Sequence, residues 1–168
     1  MTNWSEVYRS TFGDLVRYLH RKVWDEDRAH DLAQDAFTRA MQSGETPDNA
    51  RAYVFRIASN LALDEARLVV RRRRHLALLK AETPAHEEPD PEEEMEREAR
   101  TRAARAALEQ LSERDREVLL LWDAGFSYTE IAQQTNLAIG AIGTTLARAR
   151  RRLVDAHAEL EANNAARG

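Results

Sequence analysis

Residues 127–153 read SYTEIAQQTNLAIGAIGTTLARARRRL. Ser127 followed three residues later by Glu130 is a capping box, the signature of a helix start. It predicts a short helix over Tyr128–Gln134. Thr135–Ala138 reads as a turn, and a second, longer helix runs from about Ile139 past Leu153. A short helix, a tight turn and a longer helix make a helix-turn-helix. Ile131 and Ala132 of the first helix face Ile142 and Leu146 of the second, and the small Ala132 lets the two approach closely. The second helix ends in Arg148, Arg150, Arg151 and Arg152. Such arginines grip phosphates, while residues near the helix start reach base edges. The expected duplex-DNA contacts are Ser127, Thr144, Thr145, Arg148 and Arg151.

Upstream of this motif the same helical pattern continues. Ser112 precedes Val118-Leu119-Leu120-Leu121, with Asp115 as the shorter partner of an imperfect capping box, and Gly125 ends that helix. A further helix is expected near Glu94–Gln110. Before it, Ala81–Glu94 (AETPAHEEPDPEEE) holds three of the four prolines. Proline blocks helix continuation and like charges repel, so this segment reads as an extended acidic linker. It divides the chain into a domain over 1–80 and a second over 95–168. The last residues, Glu159–Gly168, read as a frayed tail.

The N-terminal part reads as three helices, near Ser5–Val23, near Asp27–Gln42 and from Ala50 to at least Arg74. Val7, Leu15, Tyr18 and Leu19 form the apolar stripe of the first. Leu32, Ala33, Ala36, Phe37 and Ala40 share one face of the second. On the third, Val54, Ile57, Ala58, Leu61 and Leu68 are the expected core. Another face of that helix carries Tyr53, Arg56, Asn60, Asp64, Arg67 and Arg71, spaced by three or four. An aromatic, an amide and several arginines on one face suit single-stranded or distorted nucleic acid, because rings stack on bases and guanidiniums hold the backbone. By spacing alone a solvated charged face fits as well. Asp31–Arg39 (DLAQDAFTR) reads only as an amphipathic surface helix.

The fold class is therefore all-α: two small helical domains joined by an acidic, proline-containing linker, the second a helix-turn-helix. The 168 residues carry a net charge of −4, which is unusual for a protein that binds nucleic acid. The charge is unevenly placed, at +3 over residues 1–80, −8 over 81–99 and +1 over 100–168. There is no cysteine, which excludes disulfides and thiolate metal sites. The histidines at 20, 30, 75, 86 and 157 are scattered, so no metal or other cofactor is expected. No Gly-rich phosphate loop and no set of nucleophile, base and orienting group is present, so an enzyme is not expected. No apolar run approaches a membrane span, and Met1–Ser10 lacks a signal-peptide core, so the expected location is cytoplasmic.

Together these segments resemble the extracytoplasmic-function sigma factors. The second helix matches the family's pattern D-L-x-Q-E-x-F-x-R through Asp31, Leu32, Gln34, Asp35, Phe37 and Arg39, with Asp in place of Glu. The third follows R-A-W-L-x-x-I-A-x-N-x-x-x-D-x-x-R through Arg51, Ala52, Tyr53, Val54, Ile57, Ala58, Asn60, Asp64 and Arg67. The C-terminal part follows through Leu108, Leu111, Arg116, Val118, Leu121, Ser127–Ala132 and Arg148-Ala149-Arg150. The departure lies at the recognition helix, where the family's G-T-V-K-S-R is Gly140-Ala141-Ile142-Gly143-Thr144-Thr145.

The resemblance implies docking on the clamp coiled coil of the polymerase beta-prime subunit through Asp31, Gln34, Asp35 and Phe37. It implies opening and reading of the promoter minus-ten element through Arg51, Tyr53, Arg56, Asn60, Arg67 and Arg71. The C-terminal domain would read the minus-thirty-five element and touch the beta flap, and the linker would enter the RNA path. The implied partners are core RNA polymerase, promoter DNA and an anti-sigma factor. Two other readings fit the residues alone. One is a dimeric helix-turn-helix regulator on a palindromic operator; the other is an adaptor without DNA affinity.

Overall fold

The structure, a computed structural model, describes residues 1–76 and 90–167. The side chains of 69–76 and all of 77–89 lie outside the description. The Arg71 side chain and residues 81–89 of the expected linker therefore fall outside it. Every regular element among the described residues is a helix. The chain divides into two units, Met1–Lys80 and Ala81–Gly168.

The first unit packs α1 (Trp4–Val23), α2 (Glu26–Gln42) and α3 (Ala50–Leu76) mutually against one another. Each start is capped by a side-chain oxygen, which meets an otherwise orphaned backbone N–H. Asn3 accepts from the Glu6 N–H at 3.3 Å, Asp25 from that of Arg28 at 3.1 Å and Asn49 from that of Ala52 at 3.0 Å. The chain leaves α1 through Trp24 in the left-handed region (φ 57), whose N–H donates to the His20 carbonyl. Leu15, Tyr18 and Leu19 meet Leu32, Ala33, Ala36, Phe37 and Ala40, with Val54, Phe55, Ala58 and Ala62 closing the core. Four of the six buried α2 positions, Ala29, Ala33, Ala36 and Ala40, are alanine, which keeps the helix axes close.

Two sequence expectations change here. Thr11, not Val7, is the buried residue at the start of the α1 stripe. Leu68 is not core but 48% exposed, and Ile57 and Leu61 are half-buried. At 27 residues α3 is longer than α1 (20) or α2 (17), and at Leu68 it is no longer covered by them. Where α3 still has a neighbour it is tied by charge. Arg28 of α2 forks onto Glu65, Nε to Oε1 at 2.9 Å and Nη2 to Oε2 at 2.6 Å. That carboxylate raises the Arg28 guanidinium pKa above its ordinary value.

The second unit consists of α4 (Pro91–Glu109), α5 (Glu113–Asp123), α6 (Tyr128–Thr135) and α7 (Ile139–Arg167). The first of these starts earlier than expected. Asp90 caps it, Pro91 occupies the first turn, and Glu92, Glu93 and Glu94 follow. Proline at the first helical position loses no hydrogen bond, and carboxylates there face the positive end of the helix dipole. Residues read as the end of an acidic linker are thus the start of a helix. The tail is corrected too. α7 is helical to Arg167 and packs against α4; Ala156 is buried, and residues 161–167 are exposed.

Ser112 caps α5, accepting from the Asp115 N–H at 3.2 Å. The Asp115 side chain does not complete the capping box. It is fully buried, and it accepts from Arg148 Nε at 3.1 Å and Nη2 at 2.7 Å, and from Arg152 Nη1 at 3.4 Å. α5 and α7 are thereby joined by a two-arginine ion pair. The Arg148 hydrogen bonds pull the Asp115 carboxyl below its ordinary value of 3.8, and burial opposes them only in part.

Phe37→Ala empties a fully enclosed site against α1. It should cost the first unit about 3–5 kcal/mol, read as a lower denaturant midpoint for that unit. Asp115 makes a second prediction. A carboxylate whose folded pKa lies below its unfolded value stabilises the fold at all pH above the unfolded value. That contribution is intact at neutral pH and is lost as pH falls below 3.8 and through the depressed folded value. Asp115→Asn should lower the denaturant midpoint of the second unit at neutral pH and flatten its acid dependence, in a urea titration repeated at falling pH.

Candidate nucleic-acid interface

The helix-turn-helix is built as its sequence dictates. Ser127 and Glu130 form the reciprocal capping box, Ser127 N–H to Glu130 Oε1 at 2.9 Å and Glu130 N–H to Ser127 Oγ at 3.2 Å. Phe126 before the cap and Ile131 in the first turn are both buried, at the two positions of a hydrophobic staple. Asn136 takes the left-handed conformation (φ 58) that ends α6. Asparagine tolerates it better than most residues, because its short amide side chain can bond locally. α7 then starts at Ile139 without a side-chain cap; the Ala138 carbonyl accepts from Ala141 at 2.9 Å.

Ile142, Leu146, Ala149 and Ala156 form the buried stripe of α7. Opposite them lie Thr144, Ala147 and Arg151, all exposed. This outward strip is the surface available to a DNA groove. Thr145, expected to reach base edges, is only 5% exposed and sits beside Ile142 and Leu146. That expectation is corrected: one helical residue turns the side chain by about 100 degrees, enough to move it from groove to core. Ser127 is exposed, but its hydroxyl already serves the cap. Arg148 is 45% exposed, yet two of its nitrogens are held by Asp115. Gly143, the residue most unlike the family pattern, lies under the Tyr128 ring; a β-carbon there would sit 3.4 Å from the ring edge. That is ordinary van der Waals distance, so a side chain as small as alanine would fit there. Tyr128 in turn lies 5.5 Å from the Trp122 ring, over which Arg150 stacks at 5.4 Å.

In the first unit, Arg56, Asn60 and Arg67 lie on one exposed face of α3, with Arg67 4.0 Å from Asp64. Tyr53 begins that face half-buried, its ring 6.4 Å from Trp4. Arg51 is elsewhere engaged. Its Nη1 bonds Asp14 Oδ2 at 3.2 Å, and its guanidinium lies 5.2 Å from the Phe55 ring centre. It ties α3 to α1 and is less exposed than Arg56, Asn60 and Arg67.

On α2 the expected docking residues separate. Asp31 and Gln34 are exposed and Asp35 is half-exposed, all on the outer face. Arg28 lies 3.4 Å from Asp31, Arg39 Nε donates to Asp35 at 3.2 Å, and the Gln34 amide donates to Tyr8 Oη at 3.0 Å. Phe37 does not belong with them. It is 1% exposed, and Tyr8 and Phe12 surround it, with ring centres at 4.9 and 6.3 Å. A docking role through direct contact is excluded by that burial; the ring supports the face from beneath. Sequence reasoning missed Trp122 and the pairing of Asp115 with Arg148 and Arg152. An exposed tryptophan beside an arginine-rich helix was a usable signal; the Asp115 partnership, spanning 33 and 37 residues, was not.

Among the described residues no group of three His, Asp or Glu is placed to hold a metal ion. None of the described helices is long and apolar enough to cross a membrane.

Residues 7–74 match the family described as Sigma-70 region 2, and residues 101–153 match Sigma-70, region 4. The ferric citrate uptake sigma factor FecI of Escherichia coli is 30% identical over 146 residues, which are 85% of this chain and 84% of FecI. The ECF RNA polymerase sigma factor SigE of Mycolicibacterium smegmatis is 28% identical over 158 residues. That alignment takes in 92% of this chain but 62% of SigE, so the chain spans less than two thirds of that relative. Among solved structures, the sigma factor RpoE of Bartonella quintana, crystallised with the anti-sigma factor NepR, superimposes with a TM-score of 0.66 at 25% identity. The overlap takes in 93% of this chain and 97% of RpoE. The two matched regions fall within the two helical units in the same order, and by that match and its relatives the chain belongs to the extracytoplasmic-function family of RNA polymerase sigma factors.

Proposed function

We propose that this chain binds core RNA polymerase in the cytoplasm and directs promoter recognition, strand opening and transcription initiation. One observation carries the reading. A region 2 unit and a region 4 helix-turn-helix occur in a single chain, each with a polar face left uncovered. A stand-alone operator-binding regulator would leave the region 2 match, 7–74, without a role.

The outer face of α2, through Asp31, Gln34 and Asp35, docks on the clamp coiled coil of the beta-prime subunit. Its two carboxylates complement a basic partner surface and steer the encounter. Tyr53, Arg56, Asn60 and Arg67 of α3 meet the opened minus-ten strand, with Arg71 continuing the face by sequence. Tyr53 has the flat ring a base stacks on, and the arginines neutralise phosphates. Thr144 and Arg151 enter the major groove at the minus-thirty-five element, the Ala147 methyl between them being suited to a thymine methyl. The same unit touches the beta flap, and an anti-sigma factor holds the free protein inactive. The acidic charge over 81–99 keeps the free chain from binding DNA at random.

Run-off transcription with core polymerase on candidate promoters tests the proposal. The chain should impose a defined start site, while alone it binds duplex DNA weakly. Transcription no different from that of core alone would remove the proposal. Asp35→Arg should lower core affinity by about tenfold or more, since a like charge facing a basic partner costs several kcal/mol. Its ion pair to Arg39 is an exposed i,i+4 contact of about 0.3–0.5 kcal/mol, so helicity should be unchanged. Wild-type affinity in this variant would take α2 out of the docking role.

A further inference from the structure

The four arginines at 148–152 of α7 are not equivalent. Arg150 lies over the Trp122 ring. Arg151 points outward with Thr144. Arg148 and Arg152, one helical turn apart, share the buried Asp115 carboxylate. At helical period Arg148 follows Thr144 by one turn, so this pair flanks the outward strip of Thr144, Ala147 and Arg151.

The geometry of the pair is asymmetric. Asp115 is fully buried, whereas the Arg148 and Arg152 side chains are 45% and 55% exposed. Arg148 spends its Nε and one Nη2 hydrogen on the carboxylate. A guanidinium has five N–H donors in a rigid fork, so Arg148 keeps three, and their directions are set by the two already used. Arg152 makes a single contact, through Nη1. Two positive charges against one negative leave the cluster a net single positive charge at the edge of the DNA-facing strip. An arginine held in this way has lost its rotamer freedom before DNA arrives, so less is lost on binding.

We infer that Asp115 is a positioning residue: it sets Arg148 and Arg152 as a fixed pair of phosphate-binding guanidiniums beside the recognition strip, and so governs the preference for cognate over non-specific duplex. The inference rests on the reading of α7 as the DNA-reading helix. Phosphate contacts fix the register from which base edges are read. Loose arginines grip phosphates at any register; held ones grip them at one.

The test uses the full chain assembled with core polymerase. Its probes are a promoter duplex that supports run-off and the same duplex with its minus-thirty-five half scrambled. Asp115→Asn removes a negative charge and leaves both arginines in place. Positioning predicts that the scrambled duplex is bound as well as before or better, that the promoter is bound less well, and that their ratio falls about tenfold, the size of one lost base-pair discrimination. If Asp115 acted only through its charge, both duplexes would bind more tightly by the same factor. If it acted only through the fold, both would bind more weakly by the same factor, with lower helicity. Either result overturns the inference. Arg148→Lys keeps the charge but cannot fork. It should lower the ratio with the scrambled duplex unaffected, and an unchanged ratio there overturns the inference even where Asp115→Asn folds poorly. A wild-type chain with no preference between the duplexes overturns the functional reading itself, and this inference with it.

Discussion

A carboxylate fully withdrawn from water must meet positive charge or lose its own, and Asp115 meets two guanidiniums. That ion pair joins the cap of α5 to the middle of α7, and the DNA-facing geometry of the second unit depends on it. Ser112 sets where α5 begins, and so where Asp115 points. Asp115 then fixes the rotation of α7 about its own axis together with the buried stripe of Ile142, Leu146 and Ala149. Once that rotation is fixed, Thr144 and Arg151 face outward and Thr145 faces in. Replacing a buried ion pair by apolar residues is often neutral or stabilising. Its retention here fits a role in orientation more than one in raw stability. The arrangement also limits its own cost, since the arginines remain half in water and only the carboxylate is fully desolvated.

The first unit solves the same problem at the edge of its core. Arg28 forks onto Glu65 and Arg51 reaches Asp14, so α3 is tied once to α2 and once to α1. Both arginines fasten the helices of this unit to one another. The outward strip of α3 begins at the half-buried Tyr53 and runs through the exposed Arg56, Asn60 and Arg67. In both units a set of basic residues is divided between fastening the helices and facing outward. In the second unit the two roles overlap, because Arg148 and Arg152 are held by Asp115 and yet stay about half exposed.

The two uncovered faces differ in chemistry in a way that fits two partners. The outer face of α2 carries Asp31, Gln34 and Asp35, acidic and amide groups suited to a basic protein surface. The outer faces of α3 and α7 carry arginine with threonine, asparagine or an aromatic, suited to phosphates and bases. The net charge of −4 hides this, because the strongly acidic 81–99 segment outweighs two mildly basic units.

The sequence by itself determined the helices, most of their caps and the helix-turn-helix. These rest on local chemistry, Ser127 with Glu130, Asn136 at the turn, and apolar residues at helical period, all within a few residues of one another. It also placed Asp31, Gln34, Arg56, Asn60, Thr144 and Arg151 on faces that stay exposed. Only the tertiary structure decided which arginines are held by carboxylates, that Phe37 and Thr145 are enclosed, that Leu68 is uncovered, and that the last helix continues to Arg167. Periodicity assigns residues to faces of a helix but does not say how far a neighbouring helix covers each face. Nor does it reveal partners 33 or 37 residues away, such as Asp115 with Arg148 and Arg152, whose attraction exists only after the chain has folded back on itself.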